Sequence, residues 1–590
     1  MINNTPPLTP VIVAIVLAGM TIPASTMADD CGAPATAIHQ VQGSGDRSHL
    51  AGEQVTVEGI LTLDSRHKGG FRGFYLQQAD GDTDNNPLTS EALFIHTGHR
   101  AGQPGHRIRV RGRVKEFHSL TELTDVDYLQ DCGPSRLPEP VSVELPWPDG
   151  PSSPEALENM RVRILQPLTV IDSYHLARYG ELTLAAAPQP VPTEVLPPGP
   201  EAYRLEQQQQ QQRLVLDDNH GVRHPVPVPW PAPALSMANT VRTGDTVSGL
   251  EGVLDFRFGA WRLQPAVTPE FHSTHPRPTV PSRDPDVTLR VITLNLENYF
   301  NGDGRGGDFP TARGAATVAQ FQRQTRRLVA ALSAPDPDVI AVAEVENDGD
   351  GEHSAVASLA RALGPEWRHV RGGESAGNDA IRTALLYRRD RVATVGAPSR
   401  LTSSVFARQG RPPLAQILRP LDRPQGVRII VPHLKSKACR GAIGPDRDQQ
   451  DGQGCFSHSR ERAARALVDW ARSFSDTSTV AGTLITGDLN SYAREAPVDV
   501  LREAGFRSLI HRFYPCSADH CPQTTFRYKG RKGSLDYALA SDTLVPRVVH
   551  AQAWAINAEE PAALDYRQRT TASEPWRASD HNPLIIDFAL

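Results

Sequence analysis

The sequence is short of cysteine and of aromatic residues, and it carries no net positive charge. No two of its six cysteines stand in a C-x-x-C spacing, which excludes a zinc ribbon and a dithiol redox motif. No cluster of aromatic residues forms the kind of hairpin that docks on a membrane. The net charge of −6 argues against a globally basic nucleic-acid coat but leaves room for a local basic cleft. The apolar run Val11–Ala18 is too short to span a bilayer, and no other run reaches that class.

What is present begins with that short run. Small residues follow it, with Thr26 and Ala28 at the −3 and −1 positions, so residues 1–28 read as a secretion signal cut after Ala28. The Lys or Arg usually found before such a core is missing. An even cysteine count fits an oxidising destination, and spacing predicts the pairs Cys31–Cys132, Cys439–Cys455 and Cys516–Cys521. A chain of 590 residues is too long for one domain and predicts about three or four.

Residues 29–140 hold short alternating strands at Gln54–Leu61, Gly73–Gln77, Leu93–Ile95 and His106–Val114. This pattern predicts a small Greek-key barrel of the OB type. Arg107, Arg109, Arg111 and Arg113 alternate along the last of these strands, either as a strip for nucleic acid or, more simply, as a solvated face. Residues 141–271 read as a second β-rich region. Within it, Gly244–Leu254 resembles Gly52–Leu61 and so points to a diverged OB-like repeat. The glutamine run 207–212 reads as a flexible loop, and 272–286 as a proline-rich linker.

From 287 to 590 apolar strand runs alternate with amphipathic helices, predicting a layered α/β domain. Its strands end in polar residues: Asn295 and Glu297, Glu344, His433, Asp488 and Asn490 after Gly487, Asp536, and finally Asp580 with His581. Carboxylates and amides suit a hard cation such as magnesium. Histidines beside carboxylates can exchange protons near neutral pH.

These motifs, in this order, resemble the endonuclease/exonuclease/phosphatase superfamily, whose fold is the DNase I-like four-layer α/β sandwich. The matching segments are Leu294–Glu297, Ala343–Val345, His433, Gly487–Asn490, Ser534–Asp536 and Ser579–His581. With the signal and the β domains, the whole chain is similar to bacterial extracellular endonucleases of that superfamily. The resemblance implies a metal set of Glu344 with Asn295, Glu297 and Asp580, filled by Mg²⁺ or Mn²⁺, with Ca²⁺ as a further candidate. It implies that His581, oriented by Asp536, is a general base or a stabiliser of the transition-state phosphate, and that His433 is an acid or a phosphate contact. Asp488 would activate water, and Asn490, Arg411 and Lys435 would contact phosphate. Lys437 reads either as part of the same channel or as a solvated cation. Pro432 departs from the pattern, which has asparagine before the histidine, and Asp379 is a candidate for the carboxylate that orients His433. The implied substrate is DNA, with RNA as the alternative, acted on by a monomer without stable membrane association. A sphingomyelinase-type phosphodiesterase and a non-catalytic nucleic-acid-binding protein are the rivals.

Overall fold

The computed structural model describes residues 1, 30–147, 154–372, 377–402, 404–474, 478–517, 520–568 and 574–590. The signal core and its cleavage site lie outside these residues. The three predicted disulfides, Cys31–Cys132, Cys439–Cys455 and Cys516–Cys521, all form. No helix among the described residues is long and apolar enough to cross a membrane.

Five strands, Gln54–Asp64, Gly73–Gln77, Ala92–His96, His106–Glu116 and Thr121–Pro134, close into a barrel in the order first, second, third, fifth, fourth. Alternation along His106–Glu116 sends Ile108, Val110 and Val114 into the barrel core. The arginines between them face outward but are not a bare strip. Arg109 is fully buried, donating to Glu58 at 3.0 Å and to the carbonyls of Ala33 and Pro34. Arg107 pairs with Glu58, Arg111 with Asp127 and Arg113 with Asp125. The Cys31–Cys132 bridge ties the covering segment to the fifth strand.

The middle region forms one nine-stranded mixed sheet rather than a second closed barrel. The strands Thr246–Ser248 and Glu251–Arg257, in the segment expected to repeat the barrel, are members of that sheet. The glutamine run also differs from expectation: Gln207–Gln211 lie in the helix Pro200–Gln211 and Gln212 caps it. The cause is tertiary: Gln209 is buried, its side chain donating to the Pro190 carbonyl at 2.9 Å and accepting from Arg531 Nε at 2.6 Å. The proline-rich connection is extended but strapped down. Thr279 accepts from the Trp554 indole at 3.0 Å, Arg277 pairs with Glu560 at 2.7 Å and Arg283 with Asp338 at 2.7 Å.

The C-terminal half is a four-layer sandwich. One six-stranded sheet runs in the order Trp367–His369, Ile381–Arg388, Val339–Glu346, Leu289–Tyr299, Leu584–Phe588, Val548–Ala553. The other runs Val392–Arg400, Leu414–Pro420, Gly426–Val431, Val480–Asp488, Asp536–Ser541, Phe506–Ser508. Fully buried aliphatic residues from both, among them Val291, Leu385, Ile429 and Leu484, fill the space between the sheets. Outside the first sheet pack Val318–Ser333 and Ala355–Leu363, the former capped where Thr317 accepts from Gln320 N–H. Outside the second packs Ser457–Ser473 through Ala463 and Leu467. Runs that are apolar on both faces become central strands, and their polar last residues gather at one edge.

Candidate active site

Local backbone irregularities aim the strand-end side chains. Pairing between Leu289–Tyr299 and Val339–Glu346 slips after Asn295, and the latter slips against its other neighbour after Val342. At these bulges Glu297, Asn298 and Glu344 take positive φ values of 53°, 61° and 61°. Each such conformation costs about 1–3 kcal/mol and persists only where the surroundings enforce it. Here the Asn298 N–H donates to Glu344 at 3.1 Å and Asn295 Nδ2 donates to it at 3.2 Å.

The central turn explains both Gly487 and Pro432. Gly487 has φ +152°, and a Cβ there would lie 2.4 Å from the Pro432 carbonyl oxygen. This close approach sets His433 against Asp488 across a parallel bridge. Asp488 then accepts from Asn295 Nδ2 at 3.1 Å and from Asn490 N–H at 2.7 Å, with His433 Nε2 at 3.6 Å. Asn490 is committed, its Nδ2 donating to the Leu434 carbonyl and to Asp488. His581 Nδ1 lies 2.7 Å from Asp536, and Asp580 lies 3.9 Å from His581 Nε2. Ser579 ties this last segment back by donating to the Asn295 carbonyl at 2.6 Å.

Ionisation follows from burial and crowding. Burial raises Glu344, and the charge of Asp580 adds to the effect. Burial, then Asp580, pushes Glu297 up to about 7, against Arg577 and Arg567. Burial, then Asp536, likewise pushes Asp488 up to about 7. Burial alone would lower His581, but Asp536 and Asp580 outweigh it and hold the imidazole well above its usual range. His433 goes the other way: burial, Arg411 and His581 push it well below.

The structure corrects the expected partner of His433. Asp379 accepts from Arg411 Nε at 2.8 Å, and Arg411 Nη1 contacts His433 Nε2 at 3.1 Å, so the carboxylate acts only through the arginine. A guanidinium only donates, so His433 Nε2 accepts and the proton sits on Nδ1. That Nδ1 is buried without a partner among the described residues. Lys435 lies at the margin with its ammonium over the Phe456 ring. Lys437, half-buried, is bound to both oxygens of buried Glu495 at 2.6 Å, so it is not a freely solvated cation. No sequence motif pointed to Arg567, paired with Glu297 at 2.9 Å, or to Phe526, whose ring packs tilted against His581 with centroids 4.5 Å apart.

The donor set fits a divalent cation. Glu297 and Glu344 are each raised by burial and then by the charge of Asp580, and a cation held among the three would offset both effects. Asp488, Asp536 and His581 also present ligand atoms within 4.8 Å of one another.

Comparison with known proteins adds the following. No curated protein matches the chain. Among solved structures, the human Nocturnin catalytic domain with bound sulfate is similar at 17% identity, over 51% of this chain and 93% of that one, with a TM-score of 0.33. A Bacteroides thetaiotaomicron mannosyl-6-phosphatase is similar at 15% identity, over 51% and 100%, with a TM-score of 0.34. D. rerio TDP2 with a single-strand DNA product is similar at 15% identity, over 51% and 98%, with a TM-score of 0.33. A family model described as a domain of unknown function matches residues 144–274. Residues 292–581 match the model of the endonuclease/exonuclease/phosphatase family, so the C-terminal half of this chain belongs to that family of phosphate-ester hydrolases.

Proposed function

We propose that the chain is an exported, cation-dependent phosphodiesterase that cleaves polynucleotide, DNA or RNA, by in-line attack of water. The observation that carries this reading is the convergence of crowded strand-end carboxylates on the His581–Asp536 pair. A divalent cation held by Glu344 with Asn295, Glu297 and Asp580 would offset negative charge on the phosphate. Asp488, poised near 7, accepts the proton of the attacking water. His581, kept protonated by Asp536 and Asp580, donates from Nε2 to the phosphoryl group, which favours stabiliser over base among its two expected roles. His433, held neutral, serves better as a phosphate contact than as an acid. A five-stranded N-terminal barrel is compatible with an oligonucleotide-binding module, and three disulfides suit an oxidising compartment outside the cytosol.

The test is incubation of the full chain with circular DNA, linear DNA, RNA and sphingomyelin, each with and without EDTA. Polynucleotide cleavage that chelator abolishes and magnesium restores is the expected result. Preferential release of phosphocholine from sphingomyelin would transfer the site to the phospholipase reading. Full activity in EDTA would remove the cation from the scheme.

A further inference from the structure

A cleft of ≈ 1920 Å³ lies between the middle sheet and the catalytic half, and its lining runs from Tyr174 and Phe258 to Glu297 and Asp580. This is about twice the upper end of small-molecule pockets, so the cavity is shaped for a longer ligand. Its two walls are held rigidly. Thr193 Oγ1 donates to buried Glu495 at 2.8 Å, Arg242 pairs with buried Glu560 at 2.9 Å, and the strand Gln189–Pro190 joins the hairpin Phe526–Gly533 as a third strand.

That hairpin links the cleft to the chemistry. At its base the Phe526 ring packs tilted against His581. At its tip Gly530, with φ +78°, sits so close to the middle sheet that a Cβ would be 3.2 Å from Ile171. Between them Tyr528 stands exposed into the cleft.

The cleft is unusual in the aromatic residues it leaves in solvent. Tyr174, Phe258 and Tyr528 are 70%, 77% and 58% exposed. In a chain so poor in aromatic residues, three exposed rings around one cavity are not needed for its core; Arg262 lies over one face of Phe258 at 5.0 Å and Lys529 over one face of Tyr528 at 5.4 Å, which leaves each an open face. The wall carboxylates Glu181 and Asp217 are neutralised by Arg262, whereas Arg223 and Lys529 have no carboxylate partner among the described residues. Solvent-exposed rings beside cations without carboxylate partners are the elements that hold unpaired bases and their phosphates. Duplex bases are already stacked on one another and offer only their edges.

We propose that this cleft is the track for a single-stranded polynucleotide, its bases stacking on Tyr174, Phe258 and Tyr528 and its phosphates meeting Arg223 and Lys529 on the way to Glu297 and Asp580. The inference rests on the phosphodiesterase reading for the identity of the ligand. It assigns to the middle region, 144–274, one wall of the substrate site.

The experiment uses the full chain, with affinity for fluorescein-labelled oligothymidine and for a duplex of equal length read by anisotropy in EDTA. Tyr174→Ala, Phe258→Ala and Tyr528→Ala should each weaken oligothymidine binding by about fivefold to a hundredfold and leave the already weaker duplex binding nearly unchanged. Unchanged single-strand affinity in the triple variant, at an unchanged Tm, overturns the track. Equal weakening of both ligands overturns its single-strand character. Should the triple variant fail to fold, R223E and K529E decide between track and no track. Each should lower the slope of log affinity against log salt by about 0.7, and an unaltered slope overturns the proposal. A parent protein that binds through these residues but hydrolyses no phosphodiester retains the track and loses the enzyme. One that hydrolyses while the variants bind normally loses the track alone.

Discussion

Two regions of this molecule place ionisable side chains on β-strands, and they treat them in opposite ways. On the barrel strand His106–Glu116, Glu58 opposite it is buried, yet its carboxyl is held below the usual range. Burial works against this, but the Gly32 N–H, Arg109 and Arg107 outweigh it. On the catalytic edge Asp488 is buried and Glu297 and Glu344 are half-buried, and all three are raised, first by removal from water and then by a neighbouring carboxylate. The catalytic edge also carries positive φ at Glu297, Asn298, Glu344 and Asn490, while on the arginine strand no residue has positive φ. Charge left unbalanced on strained backbone costs stability, and it persists where something outside the protein completes it.

The largest effect separating the two regions should come from the histidines. His581→Ala and His433→Ala should each lower kcat by about a hundredfold or more, and the double variant should fall well short of the product of the two. Asp536→Asn should resemble His581→Ala, because its closest contact is with that imidazole, which it holds and charges. Single-turnover rates at saturating magnesium, with circular dichroism to confirm folding, check this. A folded His581→Ala enzyme with near-normal kcat would place the centre of the reaction elsewhere.

A smaller effect should follow from Asp379→Asn. The side chain touches no reacting group and works by fixing Arg411 against His433. Loss of that alignment should lower kcat/KM by about ten- to a hundredfold with the fold intact. Arg411→Lys should not rescue it, since an ammonium cannot span Asp379 and His433 as a planar guanidinium does.

The contrast also explains what could be read from the chain. An apolar run closed by a polar residue marks a buried strand whose end reaches the sheet edge, which made Asn295, Glu344 and Asp488 candidates, each weak when taken alone; Asp536 instead opens its strand. Their order along the chain made them a set. Cysteine spacing sufficed for the disulfides because each predicted pair closes a local loop or the ends of one barrel. The helix through the glutamine run was not legible, because composition says nothing about Gln209 docking on Arg531, 322 residues away. Arg567 and Phe526 reach the site from a loop and a short hairpin, where no periodicity announces a direction. The step from Asp379 through Arg411 to His433 depends on side-chain reach, which spacing does not encode.

A pH experiment sharpens the contrast further, at the seam between barrel and middle sheet. Burial, then Asp46 and Glu116, raises Glu155 from 4.5 to about 7. A carboxyl raised on folding is protonated in the folded state while the unfolded chain has already ionised. Folding therefore takes up a proton between pH 4.5 and about 7, and stability falls as pH rises through that window. Glu155→Gln removes this penalty. The variant's Tm should equal the parent's below the window, rise above it across the window and hold a constant lead beyond. A constant difference at every pH would show that the effect is packing, not protonation.

The smallest expected effect is at Arg113, and it bears most directly on how the two regions differ. Arg113 lies 3.6 Å from Asp125, and the two side chains are 55% and 72% exposed. An ion pair so open to water contributes about 0–1 kcal/mol, so Arg113→Ala should leave Tm within a degree or two of the parent. The same substitution asks whether the barrel's arginines serve nucleic acid. If Arg113 meets a phosphate, the slope of log affinity for oligothymidine against log salt should fall by about 0.7. The matched pairing of this strand predicts no such fall, because Asp125, Asp127 and Glu58 already supply the counter-charges a phosphate would supply. A reduced slope would show that the barrel, too, leaves charge for a ligand, and that ion pairs on an exposed strand yield to a polyanion. An unchanged slope, beside a reduced one for R223E, would place the polynucleotide's electrostatic contact in the cleft and leave the arginine strand as a solvated, internally balanced face.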